Sequence, residues 1–65
     1  MDSKTQRYFD NQLILLESYK KEYAQYQSLI NKRKDKIEGA IEYAKHMSLL
    51  SFDDVEELNK RLYAE

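Results

Sequence analysis

The sequence predicts an all-α protein, and three observations lead there. First, the 65 residues contain no proline and one glycine, Gly39. An all-β domain needs turn residues every few positions, and they are missing. Second, from Ser3 to about Ser48 the chain is dominated by Leu, Glu, Lys, Gln, Ala and Arg, all good helix formers. Apolar residues recur in that stretch at steps of three, four and seven, the spacing of one helical face. Third, the last fifteen or so residues read as a second, separately capped helix.

The first element is expected to be one long helix over about residues 3–48. Its seam runs through Tyr8, Leu15/Leu16, Tyr19, Tyr23, Tyr26, Ile30, Ile37, Ile41 and Ala44. Tyr8 to Ala44 spans 36 positions; over ten turns that is 3.6 residues per turn, so the seam stays on one face of a nearly straight helix. Glu17 and Lys21 stand four apart in the favourable order. The segment Asn31–Lys36 is wholly polar, and Asp35 with Glu38 has the spacing of a capping box. This opens an alternative, a monomeric three-helix bundle with a turn near residues 31–35. Against it, no glycine or proline marks that turn, and Ile37 resumes the seam seven residues after Ile30.

The second element is a short helix over about residues 52–63. Ser51 precedes Asp54 by three, a capping box with Asp in place of Glu. Asp53, Asp54, Glu56 and Glu57 crowd the positive end of the helix dipole, and Lys60 and Arg61 sit near the negative end. The apolar face reads Phe52, Val55, Leu58 and Leu62.

A helix of about 45 residues is about 68 Å long at 1.5 Å per residue, and the short helix covers only about 18 Å of it. The uncovered seam and the run Leu13–Leu16 therefore call for a partner, because the short helix, folded back near residues 35–47, does not reach Leu13–Leu16. The expected solution is an antiparallel coiled-coil, four-helix homodimer with its two-fold near Tyr26, placing Leu13 against Gly39 and Ala40 of the second copy. The self-association residues are then Phe9, Leu13, Leu16, Tyr19, Tyr23, Tyr26, Ile30, Ile37, Ile41 and Ala44. Of the remaining tyrosines, Tyr43 and Tyr63 are the candidates for contact with another protein, since tyrosine is enriched at interfaces.

Chemistry is sparse. There is no cysteine and a single histidine, so neither a thiolate nor a Ser-His-Asp constellation in a closed pocket is expected, and catalysis is not predicted. Glu38, Glu42 and His46 recur at steps of four, yet read as a solvated face; no metal site and no cofactor are predicted. Eleven basic against twelve acidic residues leave a net charge of -1, which disfavours a strongly basic nucleic-acid binder. The one basic cluster, Lys32, Arg33, Lys34 and Lys36, is scattered around a helix by the 100° step per residue. No stretch reaches the roughly 20 apolar residues of a membrane span. No signal-peptide pattern and no lipidation motif is read, so a cytoplasmic location is expected. The functional expectation is a small helical regulator or adaptor, of inhibitor or assembly-factor type, that docks on a larger protein. The alternative is a dimeric nucleic-acid accessory protein using Lys32–Lys36, whose phosphate contacts would be steeply salt-dependent.

Overall fold

Residues 1–64 are described by a computed structural model. They form three helices: α1, Ser3–Glu22; α2, Gln27–His46; and α3, Phe52–Leu62. The all-α class is as expected, and so is α3. The long helix is not: the chain leaves it at Tyr23 and re-enters at Gln27, so α1 and α2 form an antiparallel hairpin. The break falls eight residues before the alternative turn near 31–35, a segment that is helical throughout.

Why the break escaped a reading of periodicity is geometric. The turn takes four residues, Tyr23–Tyr26, and four residues are close to one 3.6-residue helical turn. Leu16 and Ile30 therefore stay in phase whether the chain is straight or doubled back. No glycine is needed either. Tyr23 has φ -123° and ψ 35°, Tyr26 has φ -106° and ψ 70°, and neither lies in the left-handed region. The Tyr26 N–H donates to the Tyr23 carbonyl at 2.8 Å, closing the turn. Three rings brace it: Tyr19 and Tyr23 meet edge-on at 5.4 Å, and Tyr23 and Tyr26 lie 6.4 Å apart.

Doubling back changes where the seam goes. Phe9, Leu13 and Leu16 from α1 meet Ile30, Ile37, Ile41 and Ala44 from α2, and Leu50, Leu58 and Leu62 complete one buried core. Seven residues assigned above to self-association (Phe9, Leu13, Leu16, Ile30, Ile37, Ile41 and Ala44) are thus buried within the chain itself. Tyr19 packs at the edge of this core, while Tyr23 and Tyr26 sit exposed in the turn. The uncovered seam that called for a dimer is covered in cis. The short helix does reach α1: Arg61 Nη1 lies 2.8 Å from Asp10 Oδ1, and Lys20 Nζ donates to the Ala64 carbonyl at 2.8 Å.

The helix ends follow local chemistry. Asp2 caps α1 by accepting the Thr5 N–H at 2.8 Å. Ser51 and Asp54 form the expected capping box of α3, with Ser51 N–H donating to Asp54 Oδ2 at 3.0 Å and Asp54 N–H to Ser51 Oγ at 3.2 Å. Phe52 departs from expectation: at the first position of α3 it is 81% exposed, while Leu58 and Leu62 carry the buried face. Helix α2 ends in a Schellman arrangement, Leu49 N–H to the Ala44 carbonyl at 2.9 Å and Ser48 N–H to the Lys45 carbonyl at 3.1 Å. That motif puts its pivot residue in the left-handed region, and Ser48 indeed has φ 61°.

A residue with a Cβ is strained there, and glycine is not. Ser48→Gly is expected to raise stability by about 0.5–1 kcal/mol in urea titration, the relief of left-handed strain exceeding the added unfolded-chain entropy. Leu58→Ala, which empties a fully enclosed site, is expected to lower stability by about 2–5 kcal/mol in the same titration.

Candidate functional site

A pair of antiparallel helices has two faces, and α3 covers one. The other is an open furrow between α1 and α2. At one end it is a groove of about 400 Å³ lined by Lys4, Thr5, Tyr8 and Phe9 of α1, Ala40, Tyr43 and Ala44 of α2, and Leu49. At the turn end it is a second depression of about 320 Å³ lined by Tyr19, Leu29, Lys32, Arg33 and Lys36. None of these residues comes from α3. The two ends are joined along α1 by Tyr8, Gln12, Leu15 and Tyr19, spaced i, i+4, i+7 and i+11, a single stripe. On α2 the matching stripe is Leu29, Arg33, Lys36, Ala40 and Tyr43, at i, i+4, i+7, i+11 and i+14. Tyr8, Leu15, Leu29, Tyr43 and Leu49 are all exposed apolar side chains here, and Tyr43 is 67% exposed.

The charges beside this furrow are mostly of one sign. Lys4 stands at one end, and Lys32, Arg33 and Lys36 at the other. The Arg33 guanidinium lies 5.2 Å from the centre of the Tyr19 ring, a cation–π contact that fixes both side chains. Asp10 is taken up on the α3 side by Arg61, and Glu38 lies on the side of Tyr63. Glu22, the last residue of α1, is the acid nearest the turn end of the furrow by helical spacing. Three of the four basic residues expected to scatter are therefore gathered by the fold. The fourth, Lys34, points to the opposite side with Lys20, Gln27 and Ala64.

The two tyrosines proposed for partner contact are separated. Tyr43 lines the furrow. Tyr63 lies across α2, where the Glu38 carboxylate beside its hydroxyl, together with burial and the charge of Asp35, holds its pKa above the ordinary phenol value. Sequence reasoning missed Lys4, Ala40 and Leu49 as parts of one surface and put Tyr8 in the buried seam. Tyr8 is one position away from Phe9, and a step of 100° is enough to move a ring from core to surface. The i, i+7, i+11 relation of Tyr8, Leu15 and Tyr19 was the available signal.

Electrostatics on the α3 side is structural. Asp10 accepts from Arg61 at 2.8 Å and from Gln6 Nε2 at 3.0 Å, and the Arg61 hydrogen bond is the main cause of its lowered pKa. Asp54 is lowered first by the Ser51 backbone N–H and then by the Met1 ammonium group 3.0 Å away. Asp2 is lowered by the Thr5 backbone N–H. Among the described residues no three His, Cys, Asp or Glu side chains converge to hold a metal ion, and no helix is long and apolar enough to cross a membrane.

No family model matches the chain, and neither a curated protein nor a solved structure matches it.

A carboxylate whose folded pKa is depressed stabilises above its unfolded value, 3.8 here, and that contribution disappears as pH falls through the lower folded value. Asp10→Asn is therefore expected to lower the thermal midpoint at about pH 7, with the gap to the parent chain closing as pH falls through and below the ordinary carboxylate range. Thermal scans of both chains across that range check it.

Proposed function

We propose that this chain is a small protein-binding regulator or adaptor that docks, without catalysis, through the open α1/α2 furrow onto a partner presenting acidic side chains. The observation that carries the reading is the furrow itself. Tyr8, Leu15, Leu29, Tyr43 and Leu49 remain exposed on one face after the core has closed. The basic residues Lys4, Lys32, Arg33 and Lys36 stand at its two ends. Tyrosine and arginine are the residues that interface cores favour, with a polar rim around them. The charge pattern favours an acidic partner, since complementary potentials set specificity and speed encounter. The serines nearest the bundle end support a binding role over a nucleophilic one: Ser48 is the helix-terminating pivot and Ser51 the cap of α3.

A second reading has one observation behind it. Lys32, Arg33 and Lys36 line one depression with Tyr19, a combination that suits phosphates and a stacked base. Arg33 already occupies the ring face, and the net charge is -1, so the protein-docking reading is preferred.

A photo-crosslinking residue at position 43, compared with one at position 63, tests the choice in cells. The docking reading predicts a discrete protein adduct from position 43 and none from position 63. Adducts of RNA or DNA from position 43, or equal adducts from both positions, contradict it. Tyr43→Ala is expected to remove a partner captured in this way while changing stability by less than about 0.5 kcal/mol, as for an exposed side chain.

A further inference from the structure

We propose that this chain exchanges α1 with a second copy of itself, straightening at Tyr23–Tyr26 into one helix over residues 3–46 and forming an antiparallel domain-swapped dimer. The partner is fixed by the core: the surface that α1 fits is the one built by α2 and α3, and a second copy carries the same surface. Each copy's Phe9, Leu13 and Leu16 then pack on the other copy's Ile37, Ile41, Leu58 and Leu62, the contacts they make in cis in the monomer.

Three features of the turn make the exchange possible. The first is phase. Four residues stand close to one helical turn, so a straightened turn keeps Leu16 and Ile30 on one face and every core contact can re-form. The second is conformation. Both turn boundaries have negative φ, and Tyr23, Ala24, Gln25 and Tyr26 include neither proline nor glycine, so nothing in the segment opposes the helix. The link between α2 and α3 is the contrast, since Ser48 at φ 61° is a true helix stop and keeps α3 on its own α2. The third is charge. At the two-fold, Tyr23–Tyr26 of one copy meets Tyr23–Tyr26 of the other, and none of these residues carries a charge. Arg33 meets the other copy's Tyr19 ring, the contact it makes in cis.

Loss of translational freedom opposes the dimer, and hydrogen bonds of two straightened turns favour it, so the two forms exchange with concentration. In the dimer each furrow is made by α1 of one copy and α2 of the other.

The chain has no cysteine, so the exchange can be read by crosslinking. One preparation carries Asp10→Cys and another Arg61→Cys, positions that touch in the folded chain. The two are unfolded together, refolded at high concentration and treated with a short bismaleimide. The expected product is a covalent pair of twice the chain mass, and sedimentation equilibrium of the parent chain is expected to show a monomer–dimer equilibrium. Ala24→Gly, which disfavours helix at both turns of the dimer, is expected to weaken dimerisation about thirtyfold. Deleting residues 23–26 removes the turn but keeps the phase, and is expected to give an obligate dimer. A parent chain that stays monomeric after concentrated refolding overturns the proposal. So does a dimer without the 10–61 crosslink between chains, or a monomeric deletion variant.

Discussion

Phe9, Leu13 and Leu16 on one side and Ile30, Ile37 and Ile41 on the other lie on the same face of a helical repeat. They leave water only where that face meets itself. Everything else in the molecule depends on this closure. A chain of this size buries only about 60% of its surface, so a seam of six large apolar side chains left in water would leave too little burial to hold a fold. Each such side chain contributes about 1.5–3 kcal/mol when enclosed. The turn at Tyr23–Tyr26 lets α1 and α2 enclose each other, and α3 finishes the enclosure with Leu58 and Leu62. The Schellman stop at Ser48 and the capping box at Ser51 and Asp54 aim α3 at that gap.

Closure on one side leaves the other side open, and there the fold and the proposed function meet. With α3 filling one furrow of the hairpin, the opposite furrow keeps its tyrosines and leucines in water. Among the described residues, Lys4, Lys32, Arg33 and Lys36 form no salt bridge. Asp10 instead pairs with Arg61 of α3, and Glu38 lies on the side of Tyr63, just past the end of α3. One face of the hairpin is thus closed by α3, and the other is the one on which the proposed docking rests.

Much of the fold was legible in the sequence. The helical class and the cap and approximate bounds of α3 followed from periodicity and capping chemistry; Leu13, Leu16, Ile30, Ile37 and Ile41 were marked for burial, but between two copies, and a break at 31–35 was left open as the alternative. The turn at 23–26 did not follow from either, because a four-residue turn preserves helical phase and here carries neither glycine nor proline. That one omission turned a core within the chain into an expected interface between chains. Leu13 was expected opposite Gly39 and Ala40 of a second copy; in the hairpin the groove residue Ala40 lies instead with Thr5, Tyr8 and Phe9, and Gly39 has no side chain close to it. The candidate site was less legible. Lys32, Arg33 and Lys36 look scattered on an isolated helix, and only packing against Tyr19 shows that they share an edge. Phe52 was misplaced because, at the first position of a helix, one residue of shift moves a ring from core to water.

The claim that the seam closes on itself through a turn at Tyr23–Tyr26 is tested most directly by amide hydrogen exchange on the dilute chain, resolved by residue. The account predicts strong protection on both sides of the turn, from Leu13 to Leu16 and from Ile37 to Ile41, with the Ala24 and Gln25 amides exchanging at nearly unprotected rates. Protection running without interruption from Phe9 to Tyr43 would mean a continuous helix in the dilute chain, and would contradict it.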